Sequence, residues 1–539
     1  MISRRAFVAN MTAAAAAIAG NAAQPAPPTQ RDDRERPNIL IFMPDQQQGS
    51  TILPGHPCIT PNLDRFGREG LIFSRAYCPA PHCCPSRATF MTGLYPSEHG
   101  VFNNVDTDTA IHFDPYPGTR YFSQSLQDAG YALGYSGKWH VGHSLRPEDV
   151  GWANLNSERV TTNRPLGADH RSSAWRQAHN ELERGAPRTT GTVMRPGWGN
   201  LQLFGTGKPM EDLRDYKIVQ EGIAGVERFS GKQKPWCVMV SNNGGHDLYD
   251  PPQRFLDMYD WRTIELPKNF RDRMADKPRI YQRMRLQYWD QLSDDEVKQA
   301  IAHYYALLTM QDELFGMLLE ALKKTGEAEN TLVIYCSDHG DYAGAHGLWA
   351  KGVPSFREGY NIPCAVRWPK GIAQPGRVLE PLVSTADFAP TILEAAGIPG
   401  PRMTGASLCS WFGPDNPSQW RDTIFSQLNG VELYYTQRIV MTHTHKYVYN
   451  GFDFDEFYDL TNDPYELVNL AFPGNAPEPA RGLPGEAGAW PPLASDLETI
   501  RRNLLAKMWV FAQETNDQIF NDYLTVAMAP LGPGIILGA

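Results

Sequence analysis

The sequence predicts an α/β fold with one large sheet flanked by helices, followed by a smaller C-terminal α+β domain. Short apolar runs that end in polar or glycine-rich turns recur up to about residue 415, and segments of helical periodicity separate them. Strands that alternate with helices are typical of a sheet covered by helices. Beyond that point, strand-like segments and one long helix follow. The apolar runs are Asn38–Met43, Ala132–Tyr135, Cys237–Val240, Thr331–Cys336 and Ile362–Val366.

Start and stop signals bound three helices in the first part of the chain. Thr60-Pro61 begins the first helix, because Thr is a common cap and Pro is favoured in the first turn. Ser293–Glu296 has the pattern of a capping box and begins the second helix, which continues to Lys324. The third helix spans Ser384–Ala396 and ends before Gly397, a common residue after a helix.

The C-terminal part, 416–539, predicts a small α+β domain with an apolar tail. Arg438–Met441 and Lys446–Tyr449 are strand-like and are separated by a short turn. Leu497–Thr515 has the periodicity of a helix. The last stretch, from about 516 to 539, is apolar and rich in Gly and Pro, and we assign it no structure.

The N-terminus carries the pattern of an export signal. A pair of arginines, Arg4 and Arg5, precedes a weakly apolar, Ala-rich stretch and then a small-residue cleavage site near Ala23. Residues 1–23 therefore predict a twin-arginine signal peptide and a periplasmic or secreted protein. Residues 24–36, rich in Pro and charge, predict a flexible linker.

Composition excludes several classes of protein. Hydrophobic residues make up 42% and charged residues 20% of 539, as in an ordinary globular protein. A formal net charge of −10 and the lack of a basic run argue against a nucleic-acid partner. No stretch approaches the roughly 20 apolar residues of a membrane span. Of the eight cysteines, those in strand-like runs predict buried thiols: Cys237, Cys336 and Cys364.

Polar residues with chemical potential follow the ends of four apolar runs. Asp45 follows the first run, Lys138 and His140 follow the second, His246 follows the third, and Asp338 with its neighbour follows the fourth. Ligands of open α/β sheets bind at the carboxyl ends of the strands. We therefore expect these four segments to converge on one site.

Cys83 begins a predicted helix, and its position alone indicates a reactive thiol. The first N–H groups of a helix lack partners, so a helix start favours negative charge and lowers the pKa of a Cys placed there. A buried structural Cys is the alternative. The segment Cys83-Cys84-Pro85-Ser86-Arg87, followed by Thr92-Gly93, resembles the signature of the type I sulfatases, which belong to the alkaline phosphatase superfamily.

The resemblance covers most of residues 37–465 and implies an alkaline-phosphatase-like fold with a large mixed sheet. It assigns residues 37–415 to a catalytic sulfatase domain. It also implies that a formylglycine-generating enzyme oxidises Cys83 to formylglycine during maturation. The hydrate of that aldehyde supplies the attacking oxygen, and Arg87 belongs to the same catalytic set.

A metal site is expected from two pairs, Asp45-Gln46 and Asp338-His339, together with Cys83. Oxygen ligands favour a hard cation, so Ca²⁺ is preferred, with Mg²⁺ and Mn²⁺ as alternatives. His339 keeps softer metals open. Gln46 stands where most sulfatases have a second acid. The Asp-Gln pair is similar to that of choline sulfatases and of phosphonate monoester hydrolases.

The remaining catalytic candidates come from the resemblance. Lys138 and His140 match a Gly-Lys-x-His element that holds and deprotonates the hydrate, and His246 matches a substrate-facing His. Lys351 matches a Lys that contacts the sulfate group, and Asn104 matches a substrate-binding Asn. Taken singly, a Lys or His is more often a surface or core residue, and Asn104 is as readily structural as functional.

These residues predict hydrolysis of organic sulfate esters, with a carbohydrate sulfate as the favoured substrate. The expected partner is a sulfated small molecule or oligosaccharide. The alternative enzyme is a phosphonate monoester or phosphodiester hydrolase of the same superfamily. A secreted binding protein that retains the fold without activity is the third hypothesis.

Overall fold

The structure is a computed structural model of the chain. It describes residues 36–107, 109–157, 188–194, 200–430, 434–451, 453–472, 493–529 and 531–536. The predicted signal peptide, 1–23, and all but the last residue of the predicted linker, 24–36, lie outside the described residues. None of the helices within these ranges combines the length and apolarity that crossing a bilayer requires.

Strands and helices alternate through the first part of the described chain, as predicted. The strands are β1 Asn38–Met43, β2 Leu71–Phe73, β3 Ala76–Tyr77, β4 Ala132–Gly137, β5 Ala153–Asn154, β6 Thr192–Val193, β7 Leu201–Gln202, β8 Trp236–Ser241, β9 Thr331–Cys336, β10 Cys364–Arg367, β11 Arg377–Leu379, β12 Val383–Ser384, β13 Ile424–Gly430, β14 Tyr434–Met441, β15 His445–Asn450 and β16 Glu456–Asp459. The helices are α1 Pro61–Arg68, α2 Cys83–Thr92, α3 Pro96–His99, α4 Phe122–Asp128, α5 Arg214–Phe229, α6 Gln253–Leu256, α7 Arg279–Gln287, α8 Asp294–Lys324, α9 Arg357–Tyr360, α10 Phe388–Ala395, α11 Ser495–Glu514 and α12 Asp522–Ala527.

The large sheet is mixed, with strand order β11-β2-β10-β9-β1-β8-β4-β5. Its central strands β9, β1, β8 and β4 are parallel, whereas β10 is antiparallel to both of its neighbours. Side chains of β1 point alternately into two separate hydrophobic clusters, one on each face. A strand buried on both faces needs a continuous apolar run, which is why these strands were recognisable in the sequence.

The four central strands end at the same level. Met43 pairs with Ser241, and Ser241 pairs with Gly137 in the next strand. On the other side of β1, Phe42 pairs with Tyr335, the residue before the end of β9. The residues that follow these strand ends therefore emerge side by side at one edge of the sheet, and the expected convergence of four segments is confirmed.

Two of the predicted helix starts differ in how they are stabilised. Ser293 accepts the N–H of Glu296 and closes the predicted capping box at the start of α8. Thr60 precedes α1 as predicted, but its side chain makes no capping bond. Instead, the carboxylate of Asp312 in α8 accepts the N–H groups of Asn62 and Leu63 at 3.0 and 2.7 Å. The third predicted helix, Ser384–Ala396, is a 3₁₀ turn followed by α10.

The C-terminal region forms a separate antiparallel sheet, β13-β14-β15-β16. The two predicted strands are confirmed as parts of β14 and β15, where Met441 pairs with Lys446, and the predicted helix is confirmed as α11. Gln427 in β13 connects this sheet to the segment around α2, since its N–H donates to the carbonyl of Pro79 and its amide to Ser97. The boundary at residue 415 stays a prediction.

The cysteines are thiols in the structure. All eight are free, and each is buried except Cys409, which is partly buried. Cys336 and Cys364 pair across β9 and β10 without a bond between them. The predicted buried thiols in the strands are therefore confirmed.

We expect Asp312→Ala to destabilise the protein, because it leaves one buried and one partly buried N–H group at the start of α1 without an acceptor. Each unmet buried donor costs about 1–2 kcal/mol, so the apparent free energy of unfolding should fall by about 2–3 kcal/mol in urea denaturation. Asp312→Asn keeps one acceptor oxygen and should lose less. An unchanged midpoint for Asp312→Ala would contradict this account of the helix start.

Candidate active site

Cys83 is the first residue of α2, and its side chain contacts residues that follow the strand ends, among them Lys138 and His339. Every residue of α2 is buried, and Gly93 ends the helix with a left-handed φ of 69°. The N–H of Cys84 donates to the side-chain oxygen of Asn104 at 3.2 Å. The side-chain oxygen of Asn104 thus stabilises the start of the helix. This is the structural role, one of the two roles that the sequence left open for Asn104.

Arg87 joins α2 to the ends of all four central strands. Its guanidinium donates to Asp338 after β9 at 2.7 Å and to Asp45 after β1 at 3.2 Å. It also donates to the hydroxyl of Ser241 in β8 at 2.7 Å and to the carbonyl of Lys138 after β4 at 3.0 Å. The side chain is only 2% exposed. The guanidinium is therefore engaged by acceptors of the protein itself.

Two lysines and a histidine surround the thiol of Cys83. The distances from Sγ are 3.0 Å to Lys351 Nζ, 3.5 Å to Lys138 Nζ and 3.3 Å to His339 Nε2. Lys138 Nζ also donates to Asp45 Oδ2 at 2.5 Å. The structure thus brings the predicted residues Cys83, Lys138, Lys351, His339 and Asp45 into direct contact.

The charges around Cys83 shift its pKa and those of its neighbours. Burial and Asp45 raise the pKa of the Cys83 thiol, but Lys138 and Lys351 outweigh them, so the net pKa lies well below its usual value. Burial also raises the pKa of the Asp45 carboxyl, and the same two lysines lower it well below its usual range. The position at 83 is therefore built to carry negative charge.

Asp45, Cys83, Asp338 and His339 form a group that fits a metal ion. Each places one ligand atom within 4.8 Å of the others, and all four side chains are buried. His339 Nδ1 lies 2.9 Å from the carbonyl of Gly340. Because a carbonyl only accepts, Nδ1 carries a proton, and Nε2 is the atom that faces Cys83 and Asp45.

Gln46 adjoins this group, since it follows Asp45 and its backbone N–H donates to Asp338 Oδ1 at 3.1 Å. Its side-chain oxygen, Oε1, is buried and has no hydrogen-bond donor. Burial and Lys351 lower the pKa of His339, but Asp338, Cys83 and Asp45 raise it to about 9. A buried oxygen without a donor and a histidine whose protonated form is favoured by nearby negative groups are both expected where residues are arranged to bind a cation.

His140 lies in a second group of side chains beside Cys83. His140, Cys84 and Asp106 place their ligand atoms within 4.8 Å of one another, and His140 Nε2 is 3.3 Å from Asp106 Oδ1. Burial lowers the pKa of His140, but Cys84, Asp106 and Cys83 raise it well above its usual value. Asp106 was missed in the sequence, because no recognisable spacing connects it to His140.

His246 stands at the outer side of the site, with 35% of its side chain exposed. Its loop is fixed by Asp215, which accepts the N–H groups of Asn243 and Gly244, both at 3.0 Å. His246 Nδ1 lies 2.7 Å from the carbonyl of Asp247, so Nδ1 carries a proton and Nε2 is left for other chemistry. Burial and then Lys351 lower the pKa of His246 below its usual value.

Gly245, which directly precedes His246, has no room for a side chain. A Cβ at this position would lie 2.9 Å from the carbonyl oxygen of Gln46 and 2.9 Å from the ring of Tyr304. Neither atom can move freely, because Tyr304 also bonds that carbonyl. The absence of a side chain at 245 is thus required by the close approach of the two loops.

His346 is part of the scaffold in this structure. Its Nδ1 bonds Asp272 at 2.8 Å, and its ring stacks on Phe356 with centroids 3.4 Å apart. The loop that it anchors continues to Lys351. Asp341, two residues after His339, was also missed. In the sequence, an acid that follows a metal-binding pair is typical of a turn.

Comparisons with known proteins assign the chain to a family. Residues 37–398 match the family model described as Sulfatase, and residues 344–478 match N-sulphoglucosamine sulphohydrolase, C-terminal. The chain is 28% identical to a choline-sulfatase of Rhizobium meliloti over 81% of this chain and 82% of that protein. It is 26% identical to an N-acetylglucosamine-6-O-sulfatase of Bacteroides thetaiotaomicron over 82% of this chain and 84% of that protein.

A solved structure shows the same fold. The phosphonate monoester hydrolase of Agrobacterium radiobacter superposes with a TM-score of 0.67 at 20% identity, over 89% of this chain and 96% of that chain. The expected alkaline-phosphatase-like architecture is thus confirmed. Because the first family model covers more than half of the sequence, the chain belongs to the sulfatase family of sulfuric ester hydrolases.

Proposed function

We propose that the protein hydrolyses the sulfate ester of a carbohydrate, using formylglycine at position 83 and a divalent cation. The observation that carries the proposal is the surroundings of Cys83 Sγ. Lys351, Lys138 and His339 lie within 3.5 Å of it, and the carboxylates of Asp45 and Asp338 lie in the same buried group. This arrangement suits a negatively charged transferring group held between cations.

The thiol of Cys83 marks the place of the nucleophile. In the matured residue, Sγ stands for one of the two oxygens on the Cβ carbon of hydrated formylglycine, which supplies the attacking hydroxyl. Asp45, Gln46, Asp338, His339 and the residue at 83 would hold the cation, with Ca²⁺ preferred and Mg²⁺ or Mn²⁺ as alternatives. Such an ion supplies positive charge next to the transferring group.

Lys138 and Lys351 bind and orient the sulfate group. Both amines lie within hydrogen-bonding reach of the atom at position 83, so each can contact an oxygen of a group that approaches it. Arg87 contributes differently from what its place in the signature suggests. Since its guanidinium is engaged by Asp45, Asp338, Ser241 and Lys138, we assign it the positioning of these groups.

His246 donates a proton to the departing oxygen. It stands on the exposed side of the site, and its Nε2 is not used by the loop. Lys351 is the less suitable donor, because Cys83 and Asp45 outweigh the opposing effect of burial and raise its pKa far above its usual value. A group that holds its proton this tightly is a weak acid.

His140 removes the proton of the remaining hydroxyl at position 83, so that the C–O bond to the transferred sulfate group breaks, sulfate leaves and the aldehyde forms again. The neutral imidazole is the form that accepts this proton, and its neighbours Cys84, Asp106 and Cys83 favour the protonated imidazole that results. Asp106 Oδ1, 3.3 Å from Nε2, stabilises that positive charge. The proton therefore has a place to go inside the buried site.

Relatives support a carbohydrate substrate, although their names cover more than one class. One similar protein is an N-acetylglucosamine-6-O-sulfatase, and another is a choline-sulfatase. A sulfated mono- or oligosaccharide also suits an exported enzyme, and we propose twin-arginine export of the matured protein to the periplasm or beyond. Asn104, with its side-chain oxygen used by Cys84, would contact substrate only through its amide nitrogen.

The second candidate is hydrolysis of phosphonate monoesters or phosphodiesters. Gln46 next to Asp45 favours it, since this Asp-Gln pair is similar to that of phosphonate monoester hydrolases. The fold is shared with a phosphonate monoester hydrolase. The family models that match this chain are those of sulfatases, which is why we place sulfate esters first.

Formylglycine at position 83 is directly testable. We expect mass spectrometry of the peptide that contains residue 83 to show the aldehyde, when the protein is made together with a formylglycine-generating enzyme. Cys83→Ala should lose sulfatase activity by about 10⁴-fold while it keeps the fold. Full activity of a protein that carries only the thiol would contradict the proposal.

His246→Ala should discriminate between substrates by their leaving groups. For a carbohydrate sulfate, whose leaving oxygen needs a proton, we expect kcat to fall by about 10²-fold or more. For 4-nitrophenyl sulfate, whose phenolate leaves unprotonated, the loss should be less than about tenfold.

The pH profile checks the same assignment. Because the donor must be protonated and the pKa of His246 is lowered, kcat for the carbohydrate sulfate should fall as pH rises through a value below the usual pKa of about 6.5. His443→Ala, an exposed histidine in the β14–β15 turn, is the matched control. Equal losses on both substrates would remove His246 from this role.

Relative turnover separates the two candidate activities. We expect kcat/KM for sulfated glucosamines and related sugars to exceed that for phenyl phosphonate and bis(4-nitrophenyl) phosphate by at least about 10²-fold, which corresponds to ~3 kcal/mol. A screen of sulfated mono- and oligosaccharides measures the first value. The reverse preference would favour the phosphonate and phosphodiester activity.

A further inference from the structure

All but one of the polar atoms of Gln46 form a hydrogen bond. Its backbone N–H donates to Asp338 Oδ1 at 3.1 Å, and its carbonyl accepts from the hydroxyl of Tyr304 at 3.0 Å. Its side-chain nitrogen, Nε2, donates to Asp341 Oδ2 at 2.7 Å. The remaining atom, Oε1, is buried without a donor. A buried oxygen in this state costs free energy unless a cation or another donor meets it.

The surrounding carboxylates decide which end of the amide is which. Nε2 lies 2.7 Å from Asp341 Oδ2 and 3.4 Å from Asp247 Oδ1. A rotation of the amide by 180° would place Oε1 against both carboxylates and would leave Nε2 where Oε1 is now. Two anions therefore fix the orientation in which Oε1 is the free atom.

Asp341 is itself fixed. It is completely buried, and its Oδ2 also accepts from the hydroxyl of Tyr249 at 2.6 Å. Its Oδ1 accepts the N–H of Ala343 at 2.7 Å. These three donors, including Gln46, are neutral. Burial raises the pKa of the Asp341 carboxyl to about 7, and these three hydrogen bonds oppose the rise because they favour the ionised form. In that ionised form, the carboxylate strengthens the dipole of the Gln46 amide, with its negative end at Oε1.

We propose that Asp341, supported by Tyr249, is the positioning residue that aims Gln46 Oε1 at the cation and replaces, from one residue further out, the negative charge that an acid at 46 would supply. The proposal rests on the cation of the proposed function. In this arrangement the acid is not lost from the site but is displaced behind an amide. Tyr249 also connects the same unit to the loop of His246, three residues earlier in the chain.

Exchange of the two side chains tests the proposal. Asp341→Asn alone offers Gln46 an amide hydrogen, so the Gln46 amide is free to turn Nε2 toward the cation. We expect the affinity of the Asp341→Asn variant for Ca²⁺ to fall by about 10- to 100-fold relative to the parent. The double variant that combines Gln46→Glu with Asp341→Asn reverses the polarity of the hydrogen bond, because the amide introduced at position 341 donates to the carboxylate introduced at position 46. The affinity of the double variant for Ca²⁺ should be no more than about threefold below that of the parent.

The measurement is isothermal titration calorimetry of Ca²⁺ into the full chain after removal of metal with a chelator. Binding rather than turnover is the readout, so the result does not depend on formylglycine. Tyr249→Phe removes one of the hydrogen bonds to Asp341 and should weaken binding by about threefold. Asp312→Asn makes the same chemical change at a buried carboxylate that caps α1, and it should leave the affinity unchanged.

The outcomes separate this proposal from the function on which it rests. If the parent protein binds no divalent cation, the cation of the proposed function is wrong, and this proposal falls with it. If the parent binds Ca²⁺ and Asp341→Asn binds it equally, only the role of Asp341 is overturned. A loss in Asp341→Asn that the double variant does not restore also overturns it.

Circular dichroism checks that each variant is folded. If Asp341→Asn does not fold, the double variant and Tyr249→Phe decide the result. Parent-like affinity in Tyr249→Phe, or loss of binding in a folded double variant, then overturns the proposal.

Discussion

The buried guanidinium of Arg87 is the interaction on which the site depends. It donates to groups at the ends of β1, β4, β8 and β9, four strands that are far apart in the sequence. A charge buried this deeply is stable only with charged partners and complete hydrogen bonding. Asp45 and Asp338 supply that charge, so the same contacts that stabilise Arg87 also position the carboxylates of the site.

Three of the nine described non-glycine residues with a left-handed φ lie next to residues of the site. Gln46, His140 and Ala350 have left-handed φ values of 58°, 52° and 58°, although none is a glycine. Such conformations cost on the order of 1 kcal/mol each and persist where the surroundings enforce them. Gln46 and His140 follow the ends of β1 and β4, and Ala350 directly precedes Lys351. The strain therefore lies where side chains must turn toward position 83.

Some strands and site residues could be predicted from the sequence, and others could not. β1, β8 and β9 were recognisable because burial on both faces demands an apolar run, and Cys83 because its signature is local. β13 was not predicted, since polar residues such as Gln427 are buried there by bonds to Ser97, which only the folded chain supplies. The cap of α1 was assigned to Thr60, but Asp312, some 250 residues later, provides it.

By itself, the sequence determined the central strands, the helix that begins at Cys83 and the residue types gathered at the strand ends, because each depends on neighbours within a few positions. Only the tertiary structure decided which groups those residues meet. It showed that Arg87, which the sequence places in the catalytic set, links the ends of four strands, and it brought Asp106 to His140. It also set Asp341 behind Gln46. Such pairings depend on the register of the sheet and on the loops beyond it, and neither is encoded in a local pattern.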